Sequence, residues 1–344
     1  MDAAIIGFGR FGGLHAQALS QAGVRIMAIV DPLAESRRRA QKTYPDAHVL
    51  DSVEALIVSG ECDAAIVASS ESSHAMIARD LFTAGMHCLV EKPLALTAVE
   101  AEELLVLAEE NNLIFQAGYI LRYEPRHLAL HEHIAAGVLG SIQHIRAKRD
   151  VSRAWFIDYG HKVNPVFETL VHDIDVALWM TKSRAVAVQG WGTHGLGFAE
   201  PDTVTVRMEF SSGADAVLTS SWLVPAGAAS NIIDWQLDSP DQRSGGVIDA
   251  RLEVFGTQGS AHLTTYSNDL VISTDHLTTR PDTTFWPVVY GRVGGALAAE
   301  AQDFANRMNG NSGMGVHSIT DAIHGQWIAE AAVRSMSTGL REIL

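Results

Sequence analysis

The stretch Ala3-Ala4-Ile5-Ile6-Gly7-Phe8-Gly9-Arg10-Phe11-Gly12 runs from an apolar strand, through closely spaced glycines, into a helix. Gly7 permits a tight turn, Gly9 lets a phosphate group approach the backbone, and Gly12 lets the helix pack closely on the strand. The first turn of this helix also offers unpaired N–H groups and a positive dipole end. The order of strand, turn and helix therefore predicts a dinucleotide site at this loop.

A second apolar strand, Arg25–Val30, ends at Asp31. A carboxylate at this position accepts both hydroxyls of an adenosine ribose and repels a 2′-phosphate, which favours NAD. Two alternatives stay open. An aspartate before Pro32 also suits a helix cap, and the arginines at 37–39 could flank the adenine or accommodate NADP. We predict NAD because the acid follows the strand directly.

The composition is that of a folded protein with more than one domain. The chain has 344 residues, of which 47% are hydrophobic and 19% are charged, and this length favours two domains. Its formal charge of −15 opposes binding to nucleic acids and anionic membranes. We expect a cytoplasmic protein, because no apolar stretch is long enough to span a bilayer and Asp2 replaces the basic start of a signal peptide. Cys62 and Cys88 are expected to be small buried hydrophobic residues.

Two patterns divide the chain near residue 120. In 1–120, strands and helices alternate, which predicts an α/β domain with a doubly wound parallel sheet and ligands beyond the carboxyl ends of its strands. In 121–344, turn residues at 211–213 and 256–259 predict hairpins, and hence an α+β domain with a largely antiparallel open sheet. The strands predicted there are Ile142–Val151, Ala185–Trp191, Val204–Phe210, Ala216–Trp222, Ile232–Leu237 and Leu252–Phe255, and helices are predicted at Glu124–Ala136, Ala296–Met308 and Ile319–Ser337.

Polar residues follow two of the predicted parallel strands. Ser69, Ser70 and His74 come after the run Asp63–Ala68, where they can touch a cofactor. The predicted cofactor-binding residues are Gly7, Phe8, Gly9, Arg10, Phe11, Gly12, Asp31, Ser69, Ser70, His74, Glu91 and Lys92.

Lys92 is the first candidate catalytic residue. Glu91-Lys92-Pro93 directly follows the strand at 87–90 and should overhang the crevice at the edge of the sheet. A lysine there can hydrogen-bond a reacting hydroxyl or carbonyl, and partial burial would lower its pKa enough to relay a proton. The alternative is a solvated loop lysine; the position after a parallel strand favours catalysis.

Glu168 and His172 are the second candidate catalytic pair. They are four residues apart, so a helix would place them on one side. A carboxylate beside an imidazole orients it and raises its basicity, which suits a general base acting on an alcohol. Asp175 could share that role, and an ordinary surface pair is the alternative. We predict no metal, because no Cys or His cluster completes a ligand set.

Several further residues are candidates for substrate binding. Arg122 either lines the site or pairs with an acid. Arg149, Arg153 and His161 either bind an anionic or hydroxylated ligand or form a solvated rim. Trp155 and Trp286 either stack on a sugar face or are buried. The predicted substrate-binding residues are Lys92, Tyr119, Arg122, Arg153, His161 and His172.

Together, these motifs resemble the Gfo/Idh/MocA family, the glucose–fructose oxidoreductase and inositol dehydrogenase group. The resemblance covers nearly the whole chain and rests on Gly7–Gly12, Asp31, Glu91–Pro93, Gly118–Pro125 and His172–Asp175. It implies a Rossmann domain and a C-terminal α+β domain whose open sheet mediates homodimers or homotetramers. It also implies hydride exchange between a nicotinamide and a sugar or cyclitol carbon, with lysine and histidine in the roles given above. The bond before Pro93 is commonly cis in such proteins.

One position departs from this resemblance. Relatives of the inositol dehydrogenase type carry Asp four residues before the catalytic histidine, where this chain has Glu168. The leading prediction is an NAD-dependent oxidoreductase that acts on a secondary hydroxyl of a sugar, sugar acid or cyclitol. The alternative is a glycosidase of the same fold that oxidises a sugar carbon transiently and recycles NAD, and a sugar-responsive regulator is a third hypothesis.

Overall fold

The computed structural model describes residues 1–225, 231–232, 247–264, 270–273 and 278–344. Two compact units emerge. The first comprises Met1–Tyr123 and Trp286–Ile323, and the second comprises Glu124–Phe285 and His324–Leu344. The sequence predicts domains at 1–120 and 121–344. In the structure, the segment Trp286–Ile323 belongs instead to the unit that contains the N-terminus.

The first unit is built around a parallel sheet of six strands in the order β3-β2-β1-β4-β5-β6. The strands are β1 (Asp2–Ile6), β2 (Arg25–Val30), β3 (His48–Leu50), β4 (Ala64–Val67), β5 (His87–Glu91) and β6 (Phe115–Gly118), and the helices between them are α1 (Arg10–Gln21), α2 (Ala34–Thr43), α3 (Val53–Ser59), α4 (His74–Thr83) and α5 (Ala98–Glu110). All four residues of β4 are buried, as expected for a strand covered by helices on both faces. The predicted doubly wound α/β sheet is confirmed.

Side-chain caps begin two helices of this unit. Helix α5 begins with a capping box, in which Glu100 N donates to Thr97 Oγ1 (3.2 Å) and Thr97 N donates to Glu100 Oε2 (3.0 Å). Ser52 is the N-cap of α3, and its side chain accepts a hydrogen bond from Ala55 N (3.3 Å).

The second unit contains a mixed, mostly antiparallel sheet. Its elements up to residue 281 are helices α6 (Pro125–Ala135), α7 (Arg153–Asp158) and α8 (Val171–Thr181) and strands β7 (Ile142–Val151), β8 (Ala185–Thr193), β9 (Thr203–Phe210), β10 (Asp215–Ser221), β11 (Asn231–Ile232), β12 (Val247–Gly256), β13 (Ser260–Thr264), β14 (Ile272–Ser273) and β15 (Thr278–Pro281). After residue 281, the chain forms β16 (Val288–Val289), β17 (Arg292–Val293) and α9 (Gly295–Met308), which belong to the first unit. Helix α10 (Ile319–Thr338) begins among residues of the first unit and continues among those of the second, which also contains β18 (Glu342–Ile343).

Within the described ranges, this sheet has the order β14-β15-β11-β12-β7-β10-β9-β8-β18, and β13 also pairs with β12. The pairs β7–β10 and β11–β15 are parallel, and the other pairs are antiparallel. The predicted hairpin turns at 211–213 and 256–259 join β9 to β10 and β12 to β13. Of the predicted strand Ile232–Leu237, residues 233–237 lie outside the described residues.

Helix α9 explains why the segment after residue 285 belongs to the first unit. It packs against α1 and against the 3₁₀ turn Ile120–Tyr123. Its buried face includes Leu297, Phe304 and Met308, and also the acidic side chain of Glu300. Among the described helices, α9 and α10 included, none combines the length and the apolar character needed to cross a membrane.

Candidate active site

The glycine loop needs glycine at two positions, Gly7 and Gly12, because side chains there would clash with the protein itself. Between them, Gly9 faces open space. Gly7 has φ +88°, and a Cβ there would lie 2.6 Å from the Ala68 carbonyl oxygen. A Cβ on Gly12 would lie 1.9 Å from the Gly7 oxygen. At Gly9, by contrast, a Cβ would meet no atom within 4 Å. The backbone is thus open at the residue that precedes α1, where a pyrophosphate fits.

Asp31 organises this loop through both carboxylate oxygens. Phe8 N donates to Oδ2 (2.8 Å) and Leu33 N donates to Oδ1 (2.8 Å), so the aspartate supports the turn after β2 as well as the glycine loop. Each carboxylate oxygen has a further lone pair that can accept a ribose hydroxyl. Arg37 and Arg39 donate to the carbonyls of Asp31 (2.8 Å) and Phe8 (2.5 Å), so these guanidinium groups support the loop. The residues present therefore fit NAD.

His74 ties together the loops that follow β4 and β5. Its Nδ1 lies 2.8 Å from the Pro93 carbonyl oxygen, and its Nε2 lies 3.1 Å from the Ser69 carbonyl oxygen. The imidazole is buried, and the Ser69 hydroxyl bonds Ser73 (2.8 Å), whereas Ser70 is exposed. Both ring nitrogens of His74 face backbone carbonyls, and the nitrogen that carries the proton can donate to its carbonyl.

Lys92 lies at the carboxyl end of β5, as predicted, and is partly exposed. The Lys92–Pro93 peptide bond is cis, as the family resemblance implied. The Lys92 backbone N–H donates to Oε2 of Glu91 (3.2 Å), and Oε1 of Glu91 lies 2.7 Å from Nε2 of His15. The glutamate of this motif is thus held between the lysine backbone and a buried imidazole.

Glu168 and His172 lie at the junction of two kinds of helix. Val166–Leu170 forms a π-helical turn that runs directly into α8. The expected helix is present, but its first turn is wider than an α-helical turn, so the simple i,i+4 geometry does not describe this pair. Both side chains are partly exposed. Asn164 begins the segment, since its Oδ1 accepts a hydrogen bond from Val166 N (3.1 Å).

Buried polar contacts fix this junction within the second unit. Arg149 Nε and Nη2 bond the two oxygens of Asp173 at 2.8 and 3.0 Å. The hydroxyls of Thr169 and Ser220 lie 2.7 Å apart, and Ser220 donates to the Arg149 carbonyl (2.8 Å). Thr169 in turn donates to the Pro165 carbonyl (2.8 Å). The predictions for Arg149 are therefore wrong: it is neither a ligand-binding cation nor part of a solvated rim, but a buried ion-pair partner.

Comparison with known proteins identifies the family. Residues 1–119 match the family described as "Oxidoreductase family, NAD-binding Rossmann fold", and residues 127–262 match the "GFO/IDH/MocA C-terminal domain". The UDP-N-acetylglucosamine 3-dehydrogenase of Acidithiobacillus ferrooxidans is 31% identical over 69% of this chain and 72% of its own length. The chain belongs to the Gfo/Idh/MocA oxidoreductases.

Further relatives span the whole chain. The rhizopine catabolism protein MocA of Rhizobium meliloti is 27% identical over 98% of this chain and 96% of its own length. The structure of scyllo-inositol dehydrogenase from Lactobacillus casei with NAD(H) and scyllo-inositol has the same fold, with a TM-score of 0.81 at 19% identity over 100% of this chain and 98% of that one. The expected Gfo/Idh/MocA membership, enzyme class and NAD cofactor are confirmed.

Two residues predicted to bind substrate lie in the core of the NAD-binding unit. Arg122 is 3% exposed, and it donates to the Val316 carbonyl (2.9 Å) and to Asp321 (3.0 Å). Of the two interpretations offered for Arg122, the structure shows the ion pair with an acid. Tyr119 is also buried. The proposed substrate site does not include Arg122 or Tyr119.

The remaining candidates flank α7. Arg153 is exposed, and His161 lies with its Nδ1 3.1 Å from the Phe156 carbonyl and its ring 4.9 Å from that of Phe198. Trp155 packs against a small apolar cluster of Val151, Phe156 and Trp222. In the first unit, the rings of Trp286 and Phe11 lie edge to face, with their centroids 5.3 Å apart.

Sequence reasoning missed two residues beside the Lys92 motif. His15 and Glu300 are 0% and 1% exposed, and their nitrogen and oxygen atoms meet those of Glu91 within 4.8 Å. Burial, and then the charges of Glu91 and Asp303, raise the pKa of Glu300 well above its ordinary range. The available signal was an acidic residue inside the apolar face of the helix predicted at Ala296–Met308.

Proposed function

We propose that this protein is an NAD-dependent dehydrogenase that oxidises a secondary hydroxyl of a sugar, sugar acid or cyclitol. The main support is the placement of Lys92 at the carboxyl end of β5 in an NAD-binding unit, with its backbone held by Glu91 (3.2 Å). A relative that is named for a cyclitol substrate supports the same substrate class. It is the myo-inositol dehydrogenase Hyg17 of Streptomyces leeuwenhoekii, which is 31% identical over 66% of this chain.

The proposed chemistry assigns one role to each catalytic residue. Bound NAD would supply the hydride acceptor for the substrate carbon. His172 takes the hydroxyl proton, and Glu168 orients the imidazole. The ammonium group of Lys92 donates a hydrogen bond to the substrate oxygen and stabilises the negative charge that develops there. Arg153 and His161 are proposed to contact the hydroxylated substrate.

The cofactor is proposed to be held by residues of the first unit. The glycine loop from Gly7 to Gly12 receives the pyrophosphate, and Asp31 accepts the ribose hydroxyls. The loop with Ser69 and Ser70 completes the edge of this site. The side chains of Phe8, Arg10 and Phe11 are further candidates for cofactor contact.

We also propose a cytoplasmic homodimer or homotetramer. Apolar side chains lie exposed near one end of the mixed sheet: Val186 and Trp191 on β8 and Ile343 on β18 are 38%, 49% and 69% exposed. Exposed apolar groups at one end of a sheet are typical of a subunit interface. Light scattering of the purified protein tests this, and a monomer at micromolar concentration would contradict it.

The decisive experiment follows nicotinamide absorbance after protein and NAD are mixed with cyclitols, free sugars, sugar acids and glycosides, with product analysis of the same samples. We expect NADH in proportion to an oxidised product. Lys92→Ala and His172→Ala should each lower turnover about 100-fold or more, with NAD affinity nearly unchanged. The exposed residues Lys42 and His133 provide matched alanine controls.

Two outcomes would contradict the proposal. Full turnover in either catalytic variant would remove that residue from the mechanism. Cleavage of a glycoside without net NADH would instead establish the NAD-recycling glycosidase.

A further inference from the structure

Three ionisable side chains from three elements of the NAD-binding unit meet beside the Lys92 motif. They are His15 on α1, Glu91 at the end of β5 and Glu300 on α9, and their nitrogen and oxygen atoms lie within 4.8 Å of one another. His15 and Glu300 are 0% and 1% exposed. Two carboxyl groups thus share a buried space with one imidazole.

The two carboxyl groups have unequal surroundings. Glu91 has two hydrogen-bonding neighbours, Nε2 of His15 at 2.7 Å and the backbone N–H of Lys92 at 3.2 Å. Neither oxygen of Glu300 has a hydrogen-bond partner among the described residues. The donors that stabilise an anion are therefore gathered at Glu91.

Among the described residues, Asp303 is the further acid whose charge raises the pKa of Glu300, and Arg307, one turn beyond Asp303 on the same helix, donates to Gln116 Oε1 (2.7 Å). Asp303 lies on the same helix, where it accepts hydrogen bonds from Tyr123 Oη (2.8 Å) and Met314 N (2.5 Å). Tyr123, on the 3₁₀ turn that packs against α9, is a neutral neighbour whose pKa is raised chiefly by burial. An ionised Glu300 would stand unpaired in this setting, which is costly.

We propose that Glu300 is protonated and acts as a positioning residue. Because a neutral Glu300 does not compete for His15, Glu91 keeps its hydrogen bond with His15 and holds the backbone N–H of Lys92 in place. A neutral Glu300 puts no second negative charge beside Glu91, so Glu91 keeps both of its donors. An ionised Glu300 would compete for His15 and repel Glu91, and the lysine that Glu91 holds would shift. This role in turnover rests on the proposed dehydrogenase function.

A divalent cation is the alternative means of neutralising this cluster, because one imidazole and two carboxylates are a common ligand set. The direct contact between His15 and Glu91 favours the proton. A nitrogen and an oxygen at 2.7 Å are at the distance of a direct hydrogen bond, which holds His15 and Glu91 together without a cation. The two possibilities differ sharply in what a Glu300→Gln variant would do.

The test uses the full-length wild type, Glu300→Gln and Glu300→Ala, with Met308→Ala as a variant that removes a buried side chain from the same helix. At neutral pH, the infrared difference spectrum between wild type and Glu300→Gln should show the carbonyl stretch of a protonated carboxyl group. Glu300→Ala should lower kcat about tenfold or more, with KM little changed, because a displaced catalytic group loses rate steeply. Glu300→Gln should recover most of that kcat, and Met308→Ala should keep it.

Other results would overturn the inference. They are the absence of the carboxyl band, an equal loss of kcat in Glu300→Gln and Glu300→Ala, and a stoichiometric divalent metal in the wild type that Glu300→Gln loses. The infrared and metal measurements need no substrate, so they show whether Glu300 is protonated even if no dehydrogenase activity is found. An inactive wild type would refute the positioning role together with the proposed function, whereas an active wild type without the band would refute this inference alone.

Discussion

Arg149 binds both oxygens of Asp173, with Nε and Nη2 at 2.8 and 3.0 Å, and both side chains are buried. Asp173 directly follows His172, so this ion pair connects β7 to the first turn of the helix that carries the proposed base. Two hydrogen bonds from a planar guanidinium also fix orientation, which a single contact would not do.

We predict that removing one partner of this ion pair lowers the free energy of unfolding more than replacing both partners does. Arg149→Leu or Asp173→Leu alone leaves a buried, unpaired charge and should lower the free energy of unfolding by about 3–5 kcal/mol. The double variant removes both charges and should lie much closer to wild type. Urea denaturation of the four proteins measures this, and single-variant losses that simply add in the double variant would contradict it.

The glycine loop offers a matched pair of substitutions. Gly12→Ala places a Cβ 1.9 Å from the Gly7 oxygen. It should therefore destabilise the fold by about 3 kcal/mol or more. Gly9→Ala meets no atom within 4 Å, so the melting temperature should stay near that of wild type.

The same Gly9→Ala variant should weaken NAD binding about tenfold or more, because the new methyl group occupies the space that a pyrophosphate needs. Titration of each variant with NAD, together with thermal melts, tests both expectations. A stable Gly12→Ala variant would contradict the close packing at Gly12, and a Gly9→Ala variant that binds NAD normally would contradict the pyrophosphate site at Gly9.

The features that were predicted correctly from the sequence depend on local patterns of residues. The strand Ile142–Val151 was placed with its observed bounds, since its alternation of buried and exposed residues is visible within ten positions. The position of Lys92 followed from the strand before it and from the topology of parallel sheets.

The features that sequence missed depend on distant partners. Arg149 gives no local sign that it will pair with Asp173, and the π turn before His172 is bonded through Thr169 to Ser220, which lies 51 residues further along the chain. The cluster of His15, Glu91 and Glu300 comes from three elements spread along the chain. Side chains that meet only after the fold has formed leave no periodic signal, so the sequence alone does not predict their contacts.

His74 should affect catalysis through the two loops it holds. Its ring nitrogens face the carbonyls of Pro93 and Ser69, at 2.8 and 3.1 Å. His74→Ala removes both contacts, and we expect kcat to fall about tenfold or more because Lys92 precedes Pro93 and shifts with it.

His74→Gln can keep one of these contacts through its amide N–H groups and should fall between wild type and His74→Ala. Steady-state kinetics with the substrate that the absorbance screen identifies, at a temperature where each variant is folded, separates this effect from stability. Equal kcat values in all three proteins would limit His74 to a structural role.

The last prediction concerns acid stability and rests on Glu124, which caps α6. Burial alone would raise the pKa of this carboxyl group, but the hydrogen bonds and charges of His127 and Arg126 outweigh it and hold the pKa at about 2. Because the ordinary value is 4.5, the folded protein binds this proton more weakly than the unfolded chain does. The resulting stabilisation is complete above pH 4.5 and is lost as the pH falls toward 2.

Glu124→Gln should therefore be less stable than wild type at neutral pH, by about 3 kcal/mol. The difference should shrink as the pH is lowered, because the wild-type carboxylate becomes protonated and loses its ion pairs. Denaturant unfolding across this pH range measures the convergence, with Glu132→Gln as a control from the exposed side of the same helix. A gap between wild type and Glu124→Gln that stays constant with pH would mean that the charge of Glu124 does not stabilise the second unit.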